Sequence, residues 1–258
     1  MTQVSPWLLR VPRPDAAFRL FCFCYAGGNA ASYLPWQGKV DSAIEICALQ
    51  PPGRGARLFE PPLGTMDVMV SAVSAVVDRM DDLPFAFFGH SLGALVAFEL
   101  AHYRAQRGLR VPVHLLLSGC LAPGSRSEPK NLHLLDDARL VDELRKYNGT
   151  PPEILAHQEL MALVLPTIRA DFRLASEYRH VPRRRLDMPI SVLAGRADDY
   201  DSTEQYENWL TETDARGSVH WFDGDHFFIN SELDRTLGVI QAELTPYLQP
   251  LQAHSARA

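Results

Sequence analysis

Gly89-His90-Ser91-Leu92-Gly93 is the segment whose residue types most directly spell out chemistry. It matches the G-x-S-x-G pattern in a context that gives the pattern meaning: apolar residues 85–88 enter it as a strand, and helix formers from Leu92 onward leave it. A serine on such a strand-to-helix turn sits on tight backbone, and a side chain at position 89 or 93 would collide with the neighbouring strand or helix. The turn lifts the Ser91 hydroxyl out of the sheet and puts the Leu92 N–H at a helix N-terminus, where it can stabilise an oxyanion. The chemistry expected of Ser91 is nucleophilic attack on an acyl carbon.

A serine hydroxyl attacks only when a base takes its proton, and that base is usually histidine. Of the nine histidines, His90 lies inside the motif and is expected to point away from the working side of Ser91, and seven lack a position in a loop after a strand. His226 has that position: it follows the apolar residues 219–222 through Asp223-Gly224-Asp225, ahead of a helix whose start Ser231 and Asp234 suggest. The orienting acid is expected after the preceding strand, where residues 190–194 and Gly195 lead into Asp198, Asp199 and Asp201. Asp198 is the first choice and Asp199 the second; the acid would fix the His226 tautomer and stabilise its imidazolium. A second oxyanion donor is expected from Ala26, where the strand ending at Tyr25 opens into Gly27-Gly28. Neither G-x-x-x-x-G-K nor G-x-G-x-x-G occurs, and the four cysteines have no zinc or redox spacing, so no cofactor and no metal are expected.

These residues need a frame. Continuous apolar runs at residues 18–25, 44–49, 85–88, 113–118, 190–194 and 219–222 read as strands covered on both faces. Helical periodicity between them, as at Met66, Met69, Val70, Val73, Val77 and Met80, predicts a mostly parallel α/β sheet. Cys22 and Cys24 would share one strand face as small buried groups. About seventy residues without a strand separate Gly119 from Pro189, too many for a crossover loop. Helical patterns fill them at 134–147, 152–165 and 166–178, and an insertion at about 120–188 is expected to act as a lid over the carboxyl edge of the sheet.

With 258 residues, 47% of them hydrophobic, the chain can build one large core or two smaller ones, and the motif order favours one domain, 1–258, carrying the insertion. A net charge of −6 argues against general nucleic-acid binding. No apolar run approaches the ~18–20 residues of a membrane span and residues 1–15 lack a signal pattern, so a cytoplasmic protein with free thiols is expected.

Five motifs in order, Tyr25-Ala26-Gly27-Gly28, Pro52-Gly53-Arg54-Gly55-Ala56-Arg57, Gly89-His90-Ser91-Leu92-Gly93, Leu165-Pro166-Thr167-Ile168-Arg169-Ala170-Asp171 and Gly224-Asp225-His226-Phe227-Phe228, resemble the type II thioesterases of polyketide and nonribosomal peptide synthesis. The likeness runs over about residues 16–248, with Cys24-Tyr25 where the family often has Pro-His. The resemblance implies an α/β-hydrolase fold with a helical lid. It implies hydrolysis of acyl thioesters from the phosphopantetheine arm of acyl or peptidyl carrier proteins, clearing aberrant or stalled units; a monomer is expected. By motif, Ser91 would be nucleophile, Asp198 orienter, His226 base, and Ala26 and Leu92 oxyanion donors. Arg183, Arg184 and Arg185, in a basic segment leaving the insertion, are candidates for docking an acidic carrier. The triad by itself leaves open an oxygen ester, transfer to another acceptor, or a non-catalytic binding protein on the same fold.

Overall fold

The computed structural model describes residues 5–126, 130–150, 152–198 and 203–248. Asp199 and Asp201, the competitors of Asp198, lie outside these residues. The strands are β1 (Leu8–Leu9), β2 (Phe18–Phe23), β3 (Ile44–Leu49), β4 (Phe85–His90), β5 (Leu115–Ser118), β6 (Ile190–Gly195) and β7 (Gly217–Phe222). They form one seven-stranded sheet in the order β1-β3-β2-β4-β5-β6-β7, parallel throughout except for β1. Strands β2 to β6 are buried along their whole length, which is why they read as largely apolar runs, interrupted by Arg19 and Glu45, which pair with each other at 3.0 Å. β1 is too short to leave a period in the sequence; it pairs Leu8 with Leu49 and Leu9 with Ala48.

Side chains alternate between the two faces. Phe21, Phe23, Phe87, Leu117 and Val192 pack on one side with α1 (Met66–Val77) and α2 (Leu92–Gln106). Leu20, Cys22, Cys24, Phe88 and Leu193 pack on the other with Tyr33, Trp36 and the last helix, so the two cysteines do share a face, and all four cysteines are free thiols. The helices are fastened by buried charge as well as by apolar contact. The fully buried Arg104 of α2 donates to Asp78 at 2.6 Å, Asp81 at 3.2 Å and the Ser74 hydroxyl at 3.1 Å at the end of α1.

Between β5 and β6 the chain forms α3 (Asp137–Tyr147), the single turn α4 (Pro152–Leu155) and α5 (Gln158–Glu177). Two helix limits differ from the periodicity. Residues 132–134 form a separate 3-10 turn before α3. The break expected at Pro166 falls instead at His157, which caps α5, and α5 runs on through Pro166. The proline removes one backbone donor, but Leu165 and Ile168 are buried in an apolar cluster with Leu132, Leu140 and Leu144, and that packing outweighs local propensity. The chain ends in α6 (Thr203–Glu207), α7 (Phe228–Ser231) and α8 (Leu233–Leu248). Ser231 closes the short α7 and does not start a helix, because Phe228 and Ile229 are pulled into the core beside Phe222.

After β2 the chain passes to β3 on one side, and after β4 to β5 on the other, so the carboxyl ends of β2 and β4 flank a crevice of the kind in which α/β sheets bind ligands. Gly93 lets the first turn of α2 lie against the end of β2: a Cβ there would stand 2.2 Å from the Phe23 carbonyl oxygen. Gly93→Ala is therefore expected to lower the free energy of unfolding by about 1–3 kcal/mol or more in urea titration. Gly238→Ala, on the exposed face of α8 with nothing near the added carbon, should raise it by about 0.5–1 kcal/mol.

Candidate active site

Ser91 joins β4 to α2 with φ +55° and ψ −118°, a left-handed backbone that an L-residue adopts only under constraint. Three contacts impose it. A Cβ on Gly89 would lie 2.1 Å from the Gly93 carbonyl oxygen, so the turn closes only over glycine. The Ser91 N–H donates to the Ser118 carbonyl at 2.8 Å, and the Ala94 N–H donates to the Ser91 carbonyl at 3.0 Å. The outcome is a serine at the mouth of the β2/β4 crevice with the first amides of α2 directly behind it.

Asp198 and His226 come from loops that extend the β6/β7 ladder. The Arg196 N–H donates to the Phe222 carbonyl and the Ala197 N–H to the Gly224 carbonyl, both at 2.9 Å. Gly195 allows the close approach, since a Cβ would stand 2.5 Å from the Asp225 carbonyl oxygen. Backbone pairing thus sets the side-chain distance: His226 Nδ1 donates to Asp198 Oδ2 at 2.8 Å, with both side chains buried. A carboxylate can only accept, so Nδ1 carries the proton and Nε2 holds the lone pair. Tyr206 of α6 also donates to Asp198 Oδ2, at 3.1 Å, a contact that nothing in the sequence marks because it depends on how α6 folds back.

His90 points into the core beneath the site. Its Nδ1 lies 2.9 Å from the Ser118 hydroxyl and its ring 5.1 Å from that of His226. Burial, reinforced by His226, holds it well below the usual imidazole range, so it stays neutral. A second cluster, Ser218, His220 and Glu243, has the composition of a catalytic triad but not its wiring. The same nitrogen, His220 Nε2, faces both the serine hydroxyl at 3.1 Å and the carboxylate at 2.9 Å, so it cannot relay a proton between them.

Ser91 opens onto two cavities that share Ala26, Tyr147 and Phe172 as walls. One contains His226, Tyr25 and Phe227; the other runs over Leu92, Leu95, Leu121 and Cys120 toward Arg126. The Cys120 thiol is not a rival nucleophile, because burial pushes it up to about 11. Tyr147, at the end of α3, places its ring 5.7 Å from that of His226, and neighbouring Asn148 donates to Asp225 Oδ2 at 3.2 Å. The sequence thus places Ser91, His226, Ala26 and Leu92 around one crevice, with Asp198 behind His226. The inserted helices expected over this edge supply Tyr147 and Phe172 to its opposite wall, side chains that the sequence does not single out.

The basic segment is more engaged than its composition suggests. Arg183 pairs with Glu99 of α2 at 2.5 Å, and Arg185 lies 3.5 Å from Asp214, while Arg184 is exposed.

Comparison with known proteins agrees with this geometry. A family model described as a thioesterase domain matches residues 18–244. The gramicidin S biosynthesis protein GrsT of Aneurinibacillus migulanus is 37% identical over 89% of this chain and 90% of its own length. Among solved structures, the type II thioesterase BorB from the borrelidin biosynthetic cluster superposes with a TM-score of 0.87 at 34% identity, over 95% of this chain and 100% of that one. ClbQ from the colibactin NRPS/PKS pathway superposes with a TM-score of 0.83 at 32% identity, over 92% and 100%. A family match over residues 18–244, together with likeness along nearly the whole chain to GrsT and to the type II thioesterase BorB, makes the chain a member of the thioesterase family and a type II thioesterase of polyketide and nonribosomal peptide systems.

Proposed function

We propose that this thioesterase hydrolyses acyl groups from the phosphopantetheine arm of acyl or peptidyl carrier proteins through an acyl-Ser91 intermediate. The observation that carries the reading is the 2.8 Å His226–Asp198 bond beside Ser91 in one crevice. His226 Nε2 takes the Ser91 proton as Oγ attacks the thioester carbon, and the carbonyl oxygen becomes an oxyanion held by the Ala26 and Leu92 amides. The C–S bond then breaks and the proton passes from His226 to the departing sulfur. A thiol with a pKa near ~8.5 asks little of the acid, which suits a thioester better than an amide. Water, deprotonated by His226, attacks the acyl-serine; the Ser91–acyl bond breaks, Oγ recovers its proton and the free acid leaves.

Residues 120–188 act as a lid in this reading, and the enzyme works as a cytoplasmic monomer. No helix among the described residues is long and apolar enough to cross a membrane. Arg183, Arg184 and Arg185 form the docking edge for an acidic carrier, with Arg184 the most available of the three because its neighbours already face acids.

Ser91→Ala should reduce kcat/KM on an acyl-carrier thioester by about 10⁴-fold or more and abolish fluorophosphonate labelling; retained hydrolysis would overturn the assignment. A matched oxygen ester, assayed beside the carrier thioester, should turn over more slowly. Asp198→Asn is expected to lower kcat by roughly 10³–10⁴-fold. Tyr206→Phe removes one hydrogen bond from the same oxygen, worth about 1 kcal/mol, and should cost less than about tenfold. Replacing Arg183, Arg184 and Arg185 together by alanine should raise KM for carrier-bound substrate and spare a small soluble thioester; equal effects on both would exclude docking there.

A further inference from the structure

Two of the five motifs, Pro52-Gly53-Arg54 and Thr167-Ile168-Arg169-Ala170-Asp171, have no part in the chemistry above, yet the fold brings them together against the turn that carries Ala26. Asp171 Oδ2 accepts from the Gly27 N–H at 2.8 Å and from Arg54 Nη1 at 2.8 Å, while Oδ1 accepts from Arg54 Nη2 at 2.9 Å. Arg54 Nη1 reaches the Gly28 carbonyl at 3.3 Å. Asp171 is 1% exposed and Arg54 6%. Burial alone would lower the guanidinium's pKa, but the facing carboxylate more than offsets it, so Arg54 keeps its charge in the interior.

The remaining contacts come from the same face of α5. Thr167, four residues before Asp171, donates to the Gly53 carbonyl at 2.6 Å. Ile168 fills the space beside Gly27 so closely that a Cβ on Gly27 would stand 2.6 Å from its Cγ1. Tyr25 to Gly28 form a turn closed by the Gly28 N–H to the Tyr25 carbonyl at 2.8 Å, with Gly27 at φ +71° in third position. A carboxylate attracts an N–H and repels a carbonyl, so Asp171 selects the orientation of the Ala26–Gly27 peptide, one plane away from the Ala26 N–H. α5 is also committed to the inserted cluster, through Met161, Leu165 and Ile168, so displacing α5 would release the turn.

We propose that Asp171 is a positioning residue: from the inserted helix α5 it holds the turn bearing the Ala26 amide beside Ser91, so that oxyanion stabilisation depends on α5 being seated. This rests on the roles proposed for Ser91 and Ala26. Two double variants separate the bond to Gly27 from the ion pair. Arg54→Met/Asp171→Asn and Arg54→Met/Asp171→Leu both lack the buried charges, but only asparagine keeps an acceptor for the Gly27 N–H. With active sites counted by fluorophosphonate titration, the leucine variant should show a kcat on acyl-phosphopantetheine thioester about tenfold or more below that of the asparagine variant, with KM within about twofold. An oxyanion donor acts on the transition state and not on the bound substrate. Equal kcat values would overturn the proposal and leave Ser91 untouched, whereas hydrolysis by Ser91→Ala would overturn the underlying reading. Hydrogen exchange on the unmodified protein gives a second test that needs no variant to fold: the Gly27 amide should exchange in the same opening event as the amides of α5, and faster, independent exchange of Gly27 would overturn the coupling.

Discussion

Holding Ser91 at φ +55° between two helical and strand backbones is the constraint on which the rest of this structure depends. Such a conformation costs on the order of 1–3 kcal/mol and persists only where the surroundings over-determine it. Here β4 is paired on both sides, by β2 and β5, and α2 rests directly on the end of β2 through Gly93. The large buried aromatic set around β2 and β4, including Phe21, Phe87, Phe88 and Trp36, gives that junction little room to relax. Strain in the turn and rigidity in the sheet are one arrangement: the first aims the hydroxyl outward, and the second prevents it from falling back.

The histidine and its acid are positioned by the same means, backbone pairing extended past the end of a strand pair. Because Arg196 and Ala197 are tied amide to carbonyl to Phe222 and Gly224, the backbones of Asp198 and His226 are held within side-chain reach of each other. Burial then divides the roles. His90 is held neutral beneath the site and the buried cysteines keep their protons, with Cys24 and Cys47 pushed up to about 12. That leaves one imidazole with a carboxylate at its back and a lone pair toward the crevice.

The inserted helices touch both edges of this crevice. Asn148 holds the loop of His226 through Asp225, the Gly149 backbone lies so close to Phe227 that a Cβ would meet the ring at 2.2 Å, and Asp171 holds the turn of Ala26. The insertion therefore helps to shape the crevice, with contacts to the loop of His226 on one edge and to the turn of Ala26 on the other.

The glycine-flanked serine turn, the histidine just past the last strand and the parallel sheet were legible in the sequence because each rests on a local rule: glycines where a turn forbids a Cβ, apolar runs where strands are covered on both faces, and a strand end that opens into a loop. Asp198 was the first choice from its place three residues after Gly195, and the structure sets it against His226; Tyr206 at its side could not be found from spacing. The continuity of α5 through Pro166 was hidden as well, since a local breaker was outweighed by buried packing that no window of sequence contains. Arg54 and Asp171 lie 117 residues apart and Gly27 and Asp171 144 apart, and neither separation carries a period. The sequence by itself determined the serine turn and the strands around it, because those depend on residue type and short-range backbone geometry. Only the tertiary structure decided that the inserted helix is wired into the turn at Ala26 and Gly27, because a buried ion pair exists only when distant segments are desolvated against each other.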